Sequence, residues 1–287
     1  MAMRLLVLGS GGMLGRAVAH DAARLGHDVV ALGHQDLDIT DAANVSRVVA
    51  AAGPAAIVNC AGFTDVDGAE AQEARALAVN GDGAGHVARA AAETGARVVH
   101  VSTDYVFDGA KRAPWVESDP VGPLQAYGRT KLAGERAVAE ASGEHAIVRA
   151  AWLFGAGGRN FVETMLRLGA ERDEVTVVTD QCGSPTWTGH LAPALVELAE
   201  RAGDVGLFHA TGMGECTWYE FAVEIMDRAR LGARVVPTTS ERFARAARRP
   251  AYSVLGSERE PRIVLPPWQD GLAAYLAERA GAGAAAA

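Results

Sequence analysis

Cysteine is scarce in this 287-residue sequence: there are three, Cys60, Cys182 and Cys216, an odd number with no C-x-x-C spacing. That argues against a disulfide framework or a structural zinc site and suits a reducing compartment. The eight histidines include no H-x-x-x-H pair, so no metal is expected. No apolar run approaches the ~20 residues that cross a bilayer. The N-terminus enters a strand-like segment, Arg4-Leu5-Leu6-Val7-Leu8, without the charged region and long apolar core of a signal peptide, so a cytoplasmic protein is expected. There is no basic stripe, and the net charge is −8; neither nucleic acid nor an anionic membrane surface is an expected partner. No internal repeat is visible. With 49% hydrophobic and 22% charged residues the composition is that of a globular chain, long enough for one large α/β domain or a large domain with a smaller companion.

What is present begins with glycine. Arg4 to Leu8 runs into Gly9-Ser10-Gly11-Gly12-Met13-Leu14-Gly15 and then into the helix-like stretch from Arg16 to Leu25. Glycines 9, 12 and 15 give G-x-x-G-x-x-G between a strand and a helix, where absent side chains let backbone approach a pyrophosphate and the helix N-terminus offers free N–H groups. A second strand, Asp28 to Leu32, ends at Gly33-His34, with neither the acid that would hold ribose hydroxyls nor an arginine for a 2′-phosphate. His34 permits a phosphate, which favours NADPH with NADH as the alternative; Asp38 and Ile39 could flank the adenine. After the strand Ala56–Asn59, the small residues Cys60, Ala61 and Gly62 would let backbone lie along the cofactor, with Thr64 and Asp67 facing it from the loop.

The run from Arg97 to Val101 predicts a strand ending at Thr103, and Tyr127-Gly128-Arg129-Thr130-Lys131 predicts a helix continuing to about Ala141. Tyr127 and Lys131, four apart, then share one helix face. A phenol of reference pKa near 10 exchanges protons poorly at neutral pH unless a nearby ammonium stabilises its anion. Lys131 would supply that charge, and the strand-end hydroxyl of Thr103 would face the same crevice. Together they could polarise and protonate a carbonyl.

Helices are predicted over 44–52, 70–79 and 80–94, with Asn80 read as a cap and, as the alternative, a holder of backbone near the catalytic groups. A strand over 146–152 completes a β-α alternation that implies a Rossmann-type doubly wound parallel sheet over residues 1–152. Residues 153–287 read as a smaller, mainly substrate-binding α/β domain, with segments near 188–212 returning to the first. A helix over 218–231 is introduced by Thr217, Arg249 lies in an Arg-Pro-rich stretch, and 281–287 reads as a frayed tail.

The glycine fingerprint, Ser102-Thr103-Asp104-Tyr105-Val106-Phe107, the Tyr127–Lys131 pair and Asp180-Gln181-Cys182-Gly183-Ser184-Pro185-Thr186 together resemble the dTDP-4-dehydrorhamnose reductase family of extended short-chain dehydrogenases/reductases. The resemblance implies NADPH-dependent reduction of the 4-keto group of a dTDP-sugar. Tyr127 would donate the proton, Lys131 would lower its pKa and hold the nicotinamide ribose, and Thr103 would hydrogen-bond the keto oxygen. Asp104, Tyr105, Trp152 and Asn160 would line the sugar pocket, and Arg249 would meet the diphosphate. Ala17 stands where metal-bridged dimers of the family carry a glutamate, so no metal is implied, although a homodimer is. Tyr252 replaces a smaller polar residue and would alter a nucleotide or sugar contact. Rival readings are a 4-ketoreductase for another deoxysugar, a non-catalytic relative like the methionine adenosyltransferase β-subunit, and an epimerase or dehydratase that retains NAD.

Overall fold

The computed structural model describes residues 2–243 and 245–285. Strand and helix alternate from the start: β1 (Arg4–Leu8), α1 (Met13–Arg24), β2 (Asp28–Leu32), α2 (Ala42–Ala52) and β3 (Ala56–Asn59). Leu5 to Leu8 and all of β3 are buried, as parallel strands covered on both faces must be. The span predicted as two helices over 70–94 is instead α3 (Val66–Ala71), α4 (Glu73–Leu77), a π-helical turn (Ala78–Gly83) and α5 (Ala84–Thr94). Then come β4 (Arg97–Thr103), a 3-10 turn (Asp104–Val106), α6 (Ala126–Ala141) and β5 (His145–Ala150), which starts one residue before the predicted strand and stops two residues short of its end.

The remaining elements are β6 (Leu153–Phe154), α7 (Phe161–Glu171), β7 (Glu174–Val178), β8 (Cys182–Gly183), β9 (Thr186–Trp187), α8 (Thr188–Glu200), β10 (Gly206–His209), β11 (Cys216–Thr217), α9 (Trp218–Arg228), β12 (Arg234–Thr238) and α10 (Trp268–Ala285). α9 starts at a full capping box, Thr217 with Glu220. α10 carries regular helix through most of the expected tail, and Ala286 and Ala287 lie outside the described residues.

Six strands form one parallel sheet in the order β10-β5-β4-β3-β1-β2. The chain winds outward from β1 to β2, then reverses to β3, which opens a crevice at the carboxyl ends of β1 and β3. Alternate β1 residues feed opposite faces. Leu5 and Val7 join a core with Val18 of α1 and Leu191 and Leu195 of α8, while Leu6 and Leu8 meet Val45, Val49 and Val87. A third core, around Phe154, Met165, Phe221 and Leu272, holds the short sheets β6-β9 and β7-β12 with α7, α9 and α10.

Candidate active site

A cleft of about 630 Å³ lies over the carboxyl ends of β1, β3 and β4 and is bounded by residues of the C-terminal half. On its sheet side run Gly9, Gly11, Gly12, Met13, Leu14 and Gly15, with His34, Asp38, Ile39, Cys60, Ala61, Gly62 and Thr64. Thr103, Asp104, Tyr105, Tyr127, Lys131 and Trp152 line it further along. The sequence thus places nearly all its candidates in one cavity.

The glycine loop fits a nucleotide diphosphate. α1 opens at Gly12 with no side-chain cap and no acid in its first turn, leaving its leading N–H groups unpaired by side chains. A Cβ at Gly11 would meet nothing within 4 Å, so backbone there is open to the cleft. Asp36 turns back to accept from the Gly33 N–H at 2.8 Å and lies outside the lining, which leaves His34 there. Burial pushes the Cys60 thiol up to about 12, so it stays protonated.

The two halves of the catalytic candidate set are tied together. α6 begins where the Glu70 carboxylate accepts from the Ala126 N–H at 2.7 Å, an anion on a helix N-terminus. A Cβ at Gly128 would come within 2.2 Å of the Tyr105 carbonyl oxygen, so only glycine lets the first turn of α6 seat against the 3-10 turn. Tyr105 and Tyr127 then meet edge to face, centroids 6.1 Å apart. Lys131 Nζ donates to the Val101 carbonyl at 2.6 Å, and one turn on, Glu135 accepts from Ser102 Oγ at 2.6 Å. Glu135 also takes Arg149 in two bonds of 2.8 and 2.7 Å, all buried. Consecutive residues of β4 are therefore clamped to α6 just before Thr103.

Thr103 Oγ1 accepts from the Tyr105 N–H at 3.2 Å and donates to Asp104 Oδ1 at 3.0 Å. Burial pushes Asp104 up to about 7, against the Ser253 and Thr103 hydroxyls beside it. Burial likewise lifts Tyr127 to about 12, with Asp104 adding and Thr103 opposing, and draws Lys131 down to about 8, against Glu135 and Cys60. The direction of the Tyr127 shift is set here by burial, ahead of Asp104 and Thr103. The ammonium is spent on the Val101 carbonyl, and burial dominates the phenol.

Four other expectations change. Asn160 is not in the cleft lining: its Nδ2 donates to Gly155 and Gly158 carbonyls at 2.9 and 3.2 Å, and its Oδ1 accepts from Glu163 N, which makes it the cap of α7. Arg249 does not present a free fork; both its terminal nitrogens donate to Asp67, and neither residue is in the cleft lining. Asn80 is no helix cap. Buried in the π-helical turn, it bonds the Phe63 backbone at 2.8 and 3.1 Å and Thr130 Oγ1 at 3.1 Å, so it holds the loop after β3 to α6. Tyr252 donates to Glu215 at 2.6 Å, outside the cleft lining.

Sequence reasoning missed Arg75, Arg159 and Trp218 in the lining. Arg159 ends a glycine-rich loop, a signal that was available; Arg75 had none. Trp218 stacks flat on Trp152, centroids 3.4 Å apart and planes 4° from parallel. Trp152 sits at φ +49, a backbone region costly outside glycine, and a Cβ at Gly183 would fall 2.4 Å from its indole.

The sequence profile of the RmlD substrate binding domain matches residues 3–280. A dTDP-4-dehydrorhamnose reductase from Streptomyces griseus is 50% identical over 264 residues, 89% of this chain and 86% of that protein. A dTDP-4-keto-6-deoxy-D-glucose reductase from Streptomyces niveus is 48% identical over 262 residues, 90% of each. The crystal structure of a dTDP-4-dehydrorhamnose reductase from Bacillus anthracis in complex with NADP superposes with a TM-score of 0.94, at 37% identity, covering 97% of this chain and all of that one.

Proposed function

The chain belongs to the RmlD substrate binding domain family, and from that membership and the geometry of the cleft we propose that it reduces the 4-keto group of dTDP-4-dehydro-β-L-rhamnose with NADPH. The observation that carries the reading is the convergence of Thr103, Tyr127 and Lys131 in the same cleft as the uncapped start of α1. In this reading residues 1–152 with 188–212 hold the cofactor and the rest of the chain meets the sugar. A nicotinamide held along the glycine loop would supply the hydride for the carbonyl carbon. Tyr127 gives its phenolic proton to the carbonyl oxygen, which becomes more basic than a phenolate as the hydride arrives, so a raised Tyr127 pKa keeps the donor protonated without blocking the transfer. Thr103 donates a hydrogen bond to the same oxygen. Lys131, anchored on Val101, would offer its remaining protons to the nicotinamide ribose.

A second reading, a 4-ketoreductase acting on another dTDP-deoxysugar, is favoured by the 48% identity to the Streptomyces niveus protein. Loss of NADPH absorbance on adding enzymatically prepared dTDP-4-dehydro-β-L-rhamnose, with dTDP-β-L-rhamnose as product, supports the first reading. Turnover only with a different 4-keto sugar supports the second, and running NADH beside NADPH fixes the cofactor. A cytoplasmic setting suits the three cysteines, none of which forms a disulfide among the described residues. The homodimer that belongs to this reading is tested by sedimentation.

A further inference from the structure

The Thr103 hydroxyl has one proton and two lone pairs. One lone pair takes the Tyr105 N–H, and the proton goes to Asp104 Oδ1. In that arrangement Thr103 has no proton to give a substrate. The bond can reverse only if the carboxyl itself holds a proton and donates it to the second lone pair, which frees the threonine proton for the cleft. A second observation points the same way. Asp104 is 3% exposed, and its Oδ2 makes no hydrogen bond of normal geometry among the described residues, although the Ser253 hydroxyl stands beside the carboxyl. A buried, unpartnered oxygen is costly on a carboxylate and far less so on a neutral acid.

We propose that Asp104 is a positioning residue that acts in its protonated form, setting the direction of its bond to Thr103 so that the Thr103 proton is free for the sugar's keto oxygen. The inference rests on the ketoreductase reading. The groups facing Asp104 are consistent with it. Thr103 and Tyr105 flank it in the chain, Tyr127 approaches from α6 and Ser253 from the C-terminal segment, while the charges of Arg249 and Lys131 are engaged by Asp67 and the Val101 carbonyl. Burial has already brought the carboxyl up to about 7. No net proton leaves Asp104 during the reaction: the hydride comes from the nicotinamide and the proton from Tyr127.

The test is kcat against pH, from about pH 5.5 to about pH 9, for the full chain, Asp104→Asn and Ser253→Ala, with NADPH and the 4-keto sugar. The full chain loses about tenfold in kcat per pH unit above its inflection. Asp104→Asn carries an amide that donates to Thr103 at every pH, so the first inflection, set by the carboxyl, disappears and only the later fall above about 8, where Lys131 loses its charge, remains. Ser253→Ala removes a hydroxyl that favours the carboxylate, so its inflection moves up. An Asp104→Asn profile that keeps the full chain's first inflection overturns the proposal, as does a loss beyond about 100-fold at all pH values with NADPH binding intact. If Asp104→Asn does not fold, Ser253→Ala decides, and an unmoved inflection overturns it. Absence of full-chain turnover at every pH removes the reductase reading itself, a result distinct from either.

Discussion

Asp67 and Arg249 are joined by two parallel hydrogen bonds, Nη1 to Oδ1 at 2.6 Å and Nη2 to Oδ2 at 2.7 Å. This fork ties α3 to the segment after β12, and the Ala247 N–H adds a third bond to the same carboxylate at 3.0 Å. The Arg249 bonds, ahead of the Ala247 N–H, hold Asp67 well below the usual carboxylate range. An acid depressed in the folded state stabilises above its unfolded pKa and loses that contribution as pH falls through the folded one. Asp67→Asn should lower stability at neutral pH by about 1–3 kcal/mol in urea unfolding. The gap between the two proteins should narrow as pH falls below about 4. A gap that stays constant with pH would show that the pair contributes nothing through its charge.

Tyr127→Phe keeps the ring against Tyr105 and deletes the proton donor. Turnover should fall by about 100- to 10,000-fold, while the NADPH dissociation constant, read by fluorescence titration, changes little. An unchanged kcat would refute the assigned donor.

Lys131 is one of two lysines in the sequence, the other being Lys111, which is paired with Asp119. Drawn down to about 8 by burial, Lys131 is destabilising in its charged form at neutral pH, because the unfolded chain holds that proton more tightly. Folding stability owed to this group rises as pH climbs from the folded toward the unfolded pKa. Lys131→Met should therefore unfold at higher urea than the parent at pH 7, with the advantage shrinking toward pH 10, while weakening both NADPH affinity and kcat. Lower stability at pH 7 would show that the bond to Val101 outweighs the burial of charge.

Glu135→Gln leaves Arg149, whose side chain is 2% exposed, without its counter-charge. Breaking a buried pair from one side costs about 3–5 kcal/mol, read as a fall in denaturant midpoint. Because Glu135 also holds Ser102, kcat should fall more than the NADPH dissociation constant rises. Equal effects on both would argue that β4 keeps its position without the clamp.

The sheet was legible because parallel strands buried on both faces leave short, continuous apolar runs, such as Leu5–Leu8 and Ala56–Asn59, punctuated by glycine. Tyr127, Lys131 and Thr103 were legible because helix periodicity and a strand end fix where such side chains point. Arg249 was not: its partner is 182 residues away, and an arginine in a loop carries no sign of an internal carboxylate. Asn160 carried the local signal, an asparagine three residues before Glu163, which marks a helix start as readily as a sugar ligand. Asn80 lies in a π-helical turn, for which the sequence offers no spacing rule. The alanine-rich end of α10 continues the helix to Ala285, as suits the best helix former.

The flat contact between Trp152 and Trp218 has an optical consequence. Two indoles this close couple their excited states, so their joint absorption and emission differ from those of isolated tryptophans. The pair borders the cleft, so it also lies within energy-transfer range of a reduced nicotinamide. The molecule thus carries its own spectroscopic gauge of what occupies the cleft, readable without a label.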